Sequence, residues 1–172
     1  MMEYIIYKRK MFLLAGLVLW IFVVGAAVLF ATYSKQGVSP WRLANMTWFS
    51  SYPEPGSEEC VAYNGCAWEG LFAGVKGKQT ENWVKDHNIA AVHEKFFDQY
   101  NGKWLTIRDT GTGKEMNVQV LDKCADSDCN NCCTENMQST GFLIDLEKYT
   151  SERFNDGRAG DSGIIEWKLR SL

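Results

Sequence analysis

The sequence has no surplus of positive charge. Its 172 residues include 18 lysines and arginines against 21 aspartates and glutamates, for a net charge of -3. A protein that holds nucleic acid by neutralising phosphates needs a basic face, so this balance argues against a nucleic-acid partner. Low complexity is also absent, because 46% of the residues are hydrophobic and 23% are charged. The chain is therefore expected to fold around a core.

Charge is missing altogether from one stretch, Met11–Tyr33, which is 23 residues long. As a helix it would cross the hydrocarbon core of a bilayer, which is about 30 Å thick. The stretch is longer than the apolar part of a cleaved signal peptide, which is the alternative interpretation. We therefore predict a transmembrane helix at 11–33, with the lipid bilayer as a partner, after a short tail at 1–10. Lys8, Arg9 and Lys10 precede the helix, and this positive flank favours a cytosolic N-terminus.

Cysteine is absent before residue 60, and histidine is scarce throughout. The even set of six cysteines in one compact region indicates disulfides and an oxidising compartment. Zinc is the alternative, but only His87 and His93 could complete a site, and adjacent cysteines fit poorly as two ligands of one ion. The sequence predicts no metal and no cofactor. The predicted disulfides, whose pairing is left open, involve Cys60, Cys66, Cys124, Cys129, Cys132 and Cys133. A sequon at Asn45 predicts glycosylation and agrees with a non-cytosolic domain.

The remaining chain is predicted to form a polar stalk at 34–45 and a mostly β domain at 46–172. Short apolar segments separated by turn residues indicate strands. The strands are predicted at 46–52, 104–108, 116–121, 142–146 and 164–169. Asp109–Lys114 is the predicted turn of a hairpin. Helices are predicted in the second half of Thr80–Tyr100, where apolar residues have mixed helical spacing, and at Glu147–Phe154.

Three segments follow one another in an order that is typical of a known family. They are NGKWLTIRDTGTGKEMNVQVLDKC at 101–124, FLIDLEKY at 142–149 and GIIEW at 163–167. Over residues 47–169 the chain resembles the barwin-like and expansin-like (rare-lipoprotein-A-like) double-psi β-barrels. The resemblance implies a six-stranded double-psi β-barrel with one or two short helices, here preceded by a single transmembrane helix. One cysteine pair of the family is replaced by Asn101 and Trp104, so the family's disulfide pattern does not transfer.

Asp145 is the main candidate for chemistry. In the family's hydrolases the aligned aspartate is the general acid that protonates the oxygen of a glycosidic bond. The resemblance implies the same role for Asp145. Its apolar neighbours in the sequence should raise the pKa of the carboxyl, which suits a proton donor. The alternative is a carboxylate that caps backbone N–H groups where the barrel strands cross. Asp122 matches an aspartate of the family's groove, and a structural ion pair with Lys123 or Arg108 is its alternative role.

Glycoside hydrolysis normally needs a second carboxylate. In the resembling endoglucanases this residue follows the opening strand, where this chain has Ser50 and Ser51. Glu54, Glu58 or Glu59 in the next loop could substitute for it, and the sequence does not choose among them. A lytic transglycosylase, which needs one acid, also fits the sequence.

Aromatic residues supply the predicted binding surface. In the resembling proteins the groove is lined by the segment that here contains Trp48, Tyr52 and Trp68. Flat aromatic faces stack on sugars, so these three residues are predicted to bind substrate. Packing in the core is the alternative for each of them.

Together these features predict a single-pass membrane protein whose barrel lies outside the cytosol, in an extracellular space, a lumen or on a virion surface. The barrel is predicted to bind a polysaccharide or glycan and to remodel it without clear hydrolysis. One alternative is a structural or partner-docking module, such as a virion or envelope component of a protein assembly. Another is a lytic transglycosylase or endoglucanase that uses Asp145 as its acid. The sequence leaves open whether the domain is an enzyme.

Overall fold

The domain forms a closed β-barrel in a computed structural model, which describes residues 41–157 and 162–170. The six strands are β1 (Arg42–Phe49), β2 (Ile89–His93), β3 (Trp104–Asp109), β4 (Glu115–Cys124), β5 (Leu143–Glu147) and β6 (Gly163–Leu169). They close in the order β1-β5-β2-β4-β3-β6. β1 runs parallel to β5 and β2 parallel to β4, while the other four pairings are antiparallel. The prediction of a mostly β fold with a six-stranded barrel is confirmed.

Alternation along the strands separates the barrel interior from its outer face. Ile144 and Leu146 of β5 pack in the main core with Ala90 and Val92 of β2, and none of the four is exposed. Successive side chains of a strand point to opposite faces of a sheet. Asp145, which lies between the two core residues of β5, therefore faces outward from the barrel.

The barrel begins earlier than predicted. β1 starts at Arg42, whereas the sequence predicted a stalk up to residue 45 and a domain from residue 46. Ala44 and Met46 alternate into the core, and Arg42 pairs with Trp167 of β6, so this segment is part of the sheet. The same strand ends at Phe49 rather than at residue 52. The rest of the predicted stalk, 34–40, lies outside the described residues.

Five short α-helices accompany the strands in the described part of the chain, rather than the one or two that were predicted. They are α1 (Glu58–Val61), α2 (Glu81–Lys85), α3 (Glu94–Tyr100), α4 (Cys132–Asn136) and α5 (Lys148–Phe154). The helix predicted at 147–154 is confirmed as α5. The helix predicted in the second half of 80–100 is confirmed only as α3, because β2 occupies the residues before it. Every residue of β2 is buried, so this strand lacks the alternation by which a half-exposed strand is recognised.

The predicted hairpin at Asp109–Lys114 joins β3 to β4. The backbone N–H of Asp109 donates to the Lys114 carbonyl at 2.9 Å. The Asp109 carboxylate in turn accepts hydrogen bonds from the backbone N–H groups of Gly111 and Thr112. This arrangement is typical of an aspartate that opens a turn.

Within 41–157 and 162–170, no helix has both the length and the apolar character that crossing a bilayer requires. The tail predicted at 1–10 and the transmembrane helix predicted at 11–33 lie outside the described residues.

Candidate functional site

Strand register brings the two predicted aspartates into one row on the outer face of the barrel. Asp145 of β5 pairs with Thr47 of β1 on one side and with Ala91 of β2 on the other. Ala91 also pairs with Asp122 of β4, just after an irregularity in the β2–β4 register. Neighbouring strands are about 4.8 Å apart, so the two aspartates lie roughly 10 Å apart across the small side chain of Ala91. The row thus offers two carboxyls with an open space between them.

A cleft of about 720 Å³ lies over this row. One wall is formed by the segment 48–73, which includes α1, and the other by the segment 123–136, which includes α4. The side chain of Asn64 donates to the carbonyl of Asp128 at 3.3 Å and so joins the two walls. Thr47, Asp145, Ala91 and Asp122 all line the cleft, so the row belongs to its floor.

Asp145 is the most deeply placed acid of the cleft, with 9% of its surface exposed. Burial raises the pKa of Asp145 to about 7, and the charges of Glu59 and Asp122 add to the rise. The hydroxyl of Thr47 donates to Asp145 Oδ1 at 2.7 Å and acts in the opposite direction on the pKa. A carboxyl with this pKa keeps its proton up to neutral pH, which is the state that a proton donor needs.

Asp122 shares the cleft but is anchored differently. Its Oδ1 accepts a hydrogen bond from the backbone N–H of Ala73 at 2.9 Å, so this carboxyl fixes the far end of the 48–73 wall. Burial raises the pKa of Asp122 to about 6, while hydrogen bonds from the backbone of Ala73 and Lys123 and the charge of Lys123 oppose the rise. Of the two ion-pair partners considered from the sequence, Arg108 instead pairs with Glu166 at 2.6 Å.

A third carboxyl, Glu59, lines the same cleft from α1. The backbone N–H of Ser50 donates to Glu59 Oε1 at 3.2 Å. Burial is the largest cause that raises the pKa of Glu59, with the Ser50 hydrogen bond opposing it and the neighbouring Glu58 adding to it. The hydroxyl of the adjacent Ser51 donates instead to the buried Glu147 at 2.9 Å. Sequence reasoning named Glu59 as one of three alternatives, and the structure places this one in the cleft.

The three predicted aromatic residues have different positions. Trp48 and Trp68 both line the cleft, and Trp68 is 53% exposed, so its ring is available to a ligand. Tyr52 lies outside the cleft lining: it packs against a second apolar cluster that includes Phe72 and Ile89, and its hydroxyl donates to the carbonyl of Gln79. The structure therefore brings Trp48 and Trp68 to the two aspartates but not Tyr52.

All six cysteines are paired, which confirms the prediction of disulfides. The pairs are Cys60–Cys66, Cys124–Cys133 and Cys129–Cys132. The first closes the loop that follows Glu59, and the other two lie in the opposite wall of the cleft. The sulfurs of Cys124, Cys132 and Cys133 come within 4.8 Å of one another as members of these two disulfides. Both walls are therefore covalently closed.

The His93 ring makes hydrogen bonds through both of its nitrogens. His93 Nε2 lies 2.9 Å from Thr134 Oγ1, and the Thr134 hydroxyl donates to Asp126 Oδ2 at 2.6 Å. His93 Nδ1 accepts the backbone N–H of Lys95 at 3.2 Å, so Nε2 carries the proton that goes to Thr134. Thr134 is not among the residues that line the cleft. The group instead fastens the 123–136 wall to the end of β2.

Asn45, the predicted glycosylation site, lies in β1 and makes several hydrogen bonds through its side chain. Its Oδ1 accepts from the Thr140 backbone N–H at 3.1 Å and from the Thr140 hydroxyl at 2.7 Å. Its Nδ2, the atom to which a glycan is attached, donates to Ser139 Oγ at 2.7 Å. The residue links β1 to the segment before β5, and its glycosylation stays a prediction.

No protein-family model matches the chain, and no curated protein sequence matches it. Solved structures with a similar course of the chain include the Streptomyces papain inhibitor, at 14% identity and a TM-score of 0.42, over 77% of this chain and 97% of that one. A GH45 endoglucanase in complex with cellobiose has 11% identity and a TM-score of 0.46, over 76% of this chain and 81% of that one. The beta-1,4-D-endoglucanase Cel45A from the blue mussel Mytilus edulis has 12% identity and a TM-score of 0.43, over 78% and 82% of the two chains.

Proposed function

We propose that the cleft binds a polysaccharide or other glycan chain and that Asp145 is the proton donor to a glycosidic oxygen of that chain. The observation that carries the proposal is the position of Asp145, a carboxyl that keeps its proton to about pH 7 at the floor of a cleft. Protonation of the leaving oxygen is the step that an acid supplies when a glycosidic bond is broken.

The acidic lining of the cleft favours an uncharged ligand over an anionic one. Among the described residues, its lining contains one basic side chain, Lys123. The acidic residues of the lining are Glu59, Asp122, Asp128, Glu135 and Asp145. Anionic ligands such as nucleic acids would be repelled by such a surface. A neutral sugar presents hydroxyls to carboxyl groups and apolar C–H faces to aromatic rings, and the cleft combines these acids with Trp48 and Trp68.

The pairing of the strands supports the finer assignment to a double-psi barrel. The two parallel pairs, β1–β5 and β2–β4, lie side by side and are joined by the antiparallel β2–β5 contact. Parallel neighbours cannot be joined by a tight turn and need long crossing connections. The segment 50–88 joins β1 to β2 across the intervening β5, and the segment 125–142 joins β4 to β5 across the intervening β2. The walls of the proposed glycan site are built from these two crossing connections.

Binding is tested by retention of the full chain, purified in detergent, on insoluble cellulose, chitin and peptidoglycan. Trp68→Ala should weaken retention about fivefold to tenfold, because one exposed aromatic contact is worth about 1 kcal/mol. Trp104→Ala is the matched control: its ring is 38% exposed but lies on β3, beyond the residues that line the cleft. No retention on any of the three glycans, or equal losses in the two variants, would contradict the proposal.

We also propose that 11–33 anchors the protein in a membrane and that the barrel lies on the non-cytosolic side. The positive flank at 8–10 and the three disulfides support this orientation. In sealed inside-out vesicles an epitope on the barrel should be protected from added protease until detergent is supplied. Digestion without detergent would place the barrel in the cytosol. Docking to a protein assembly stays a prediction.

A further inference from the structure

Glu59 is held at the cleft by several independent contacts. The Ser50 N–H binds its Oε1, and the Cys60–Cys66 disulfide closes the loop directly after it. Gly65 packs on its backbone: the Gly65 N–H donates to the Glu59 carbonyl at 2.9 Å, and a Cβ on Gly65 would lie 2.6 Å from that oxygen. A side chain at position 65 would therefore displace Glu59. The local structure fixes this one acid.

The other two acids considered from the sequence are directed elsewhere. Glu58 precedes Glu59 in α1, but its Oε1 accepts the hydroxyl of Tyr63 at 3.4 Å. Glu54 is exposed in the preceding loop. Neither residue is part of the cleft lining, whereas Glu59 is. Ser50, which directly follows β1, presents its N–H to Glu59. The end of β1 thus holds one acid of α1 at the cleft.

We propose that Glu59 is the second carboxylate of this site and that, together with Asp145, it hydrolyses a glycosidic bond of the bound glycan. This inference rests on the proposed function. Asp145 gives its proton to the glycosidic oxygen, and the bond between that oxygen and the anomeric carbon breaks. Water adds to the anomeric carbon while its proton passes to Glu59. One water is consumed, the leaving sugar departs as an alcohol, and solvent returns the proton from Glu59 to Asp145.

The environments of the two carboxyls suit these roles. Burial raises the pKa of Glu59, which makes the carboxylate a better proton acceptor, while the Ser50 N–H hydrogen bond opposes the rise. Asp145 has a pKa of about 7, and the Glu59 charge contributes to this elevation. Cleavage should therefore decline above about pH 7 as Asp145 loses its proton. It should also decline at low pH as Glu59 becomes protonated, which gives a bell-shaped profile.

The test compares native full chain, purified in detergent, with Glu59→Gln on amorphous cellulose, chitin and peptidoglycan, with release of reducing ends as the readout. The amide oxygen of the introduced glutamine can still accept the Ser50 N–H, so the loop should keep its place. Reducing-end release should drop roughly 100-fold or more, the usual contribution of a positioned base, while retention on the same glycan stays within about twofold. Glu54→Gln, in the same segment but off the cleft, should cleave as the native chain does.

Chemical rescue separates a reacting carboxylate from a structural one. Added azide or formate should restore cleavage to Glu59→Ala, because a small anion can enter the space and act in place of the carboxylate; loss of a merely structural contact would not be restored. Retention without reducing-end release by the native chain would overturn the role of Glu59 and leave glycan binding by the cleft intact. Undiminished cleavage by Glu59→Gln, with anhydro-sugar products, would also overturn it in favour of a single-acid lytic reaction. Absence of retention would instead remove the proposed function itself.

Discussion

The Asp145→Asn variant should be more stable than the native protein at pH 8, by on the order of 4 kcal/mol, and about equally stable at pH 4. The pKa of Asp145 is raised from 3.8 to about 7 in the folded protein. Between these two values the folded state keeps a proton that the unfolded state has lost, so the native stability falls as pH rises through this window. Above pH 7 the folded protein must hold a buried carboxylate, whereas asparagine has no charge to bury.

Urea unfolding at pH 4, 6 and 8, followed by tryptophan fluorescence, measures this difference. Asp109→Asn serves as the control, because this variant should be less stable than the native protein at neutral pH rather than more stable. The pKa of Asp109 is lowered, chiefly by the hydrogen bond from the Thr112 backbone, so its stabilising effect is present at neutral pH and disappears as pH falls below about 4. If the stability of Asp145→Asn tracked that of the native chain at all three pH values, the carboxyl would not be buried as described.

A gain of this size has a consequence for the role of Asp145. An ionisable group that destabilises the folded protein at neutral pH contributes nothing to the fold, and such groups are concentrated at functional sites. The only hydrogen bond between Asp145 and another side chain in the described residues is the one from Thr47, which asparagine can also accept. A more stable Asp145→Asn variant that has also lost proton donation would indicate function, not packing, as the reason for an acid at this position.

The strands were predictable where one face is buried and turn residues end the run. The β3–β4 hairpin has this character, because apolar and polar residues alternate along the sequence of both strands and the Asp109–Lys114 turn carries two glycines. β2 was not predictable in this way, since Ile89–His93 is buried on both faces and its apolar run is equally compatible with a helix. Ala44 alternates into the core with Met46, but the polar residues around Ala44 suggested a stalk that continued to residue 45.

The site was predictable in part for a similar reason. Asp145 is an acid inside an apolar run, which is visible in the sequence, and its burial follows from that run. Glu59 was indistinguishable from Glu54 and Glu58, because its position depends on Ser50, Gly65 and the Cys60–Cys66 disulfide, which are contacts made only in the folded chain. The pairing of the cysteines likewise depends on which wall each one joins. Spacing along the chain does not determine it.

The two cleft walls should respond differently to loss of their disulfides. Replacing Cys124 and Cys133 by alanine should destabilise the protein by about 4 kcal/mol, whereas replacing Cys60 and Cys66 should cost about 2 kcal/mol. Both loops are short, so the entropic contributions are similar. Cys133, however, is 1% exposed and packs with Met137 and Leu143, so its removal also leaves a cavity in the 123–136 wall. Cys60 and Cys66 are only half-buried, and their loss leaves no comparable space.

The losses of cleavage activity should follow the reverse order if Glu59 acts as proposed: removal of the Cys60–Cys66 disulfide should reduce cleavage more than removal of Cys124–Cys133. Loss of Cys60–Cys66 releases the loop that fixes Glu59, so the Cys60→Ala/Cys66→Ala protein should stay folded at room temperature and lose most of its reducing-end release. The Cys124→Ala/Cys133→Ala protein, measured below its own unfolding transition, should retain more of this activity because Glu59 lies in the opposite wall. Urea midpoints of the two variants test the predicted order of stability loss, and reducing-end assays on the same preparations test the predicted order of activity loss. A larger loss of stability from the Cys60–Cys66 pair would mean that the 48–73 wall, rather than the 123–136 wall, is the one that secures the barrel.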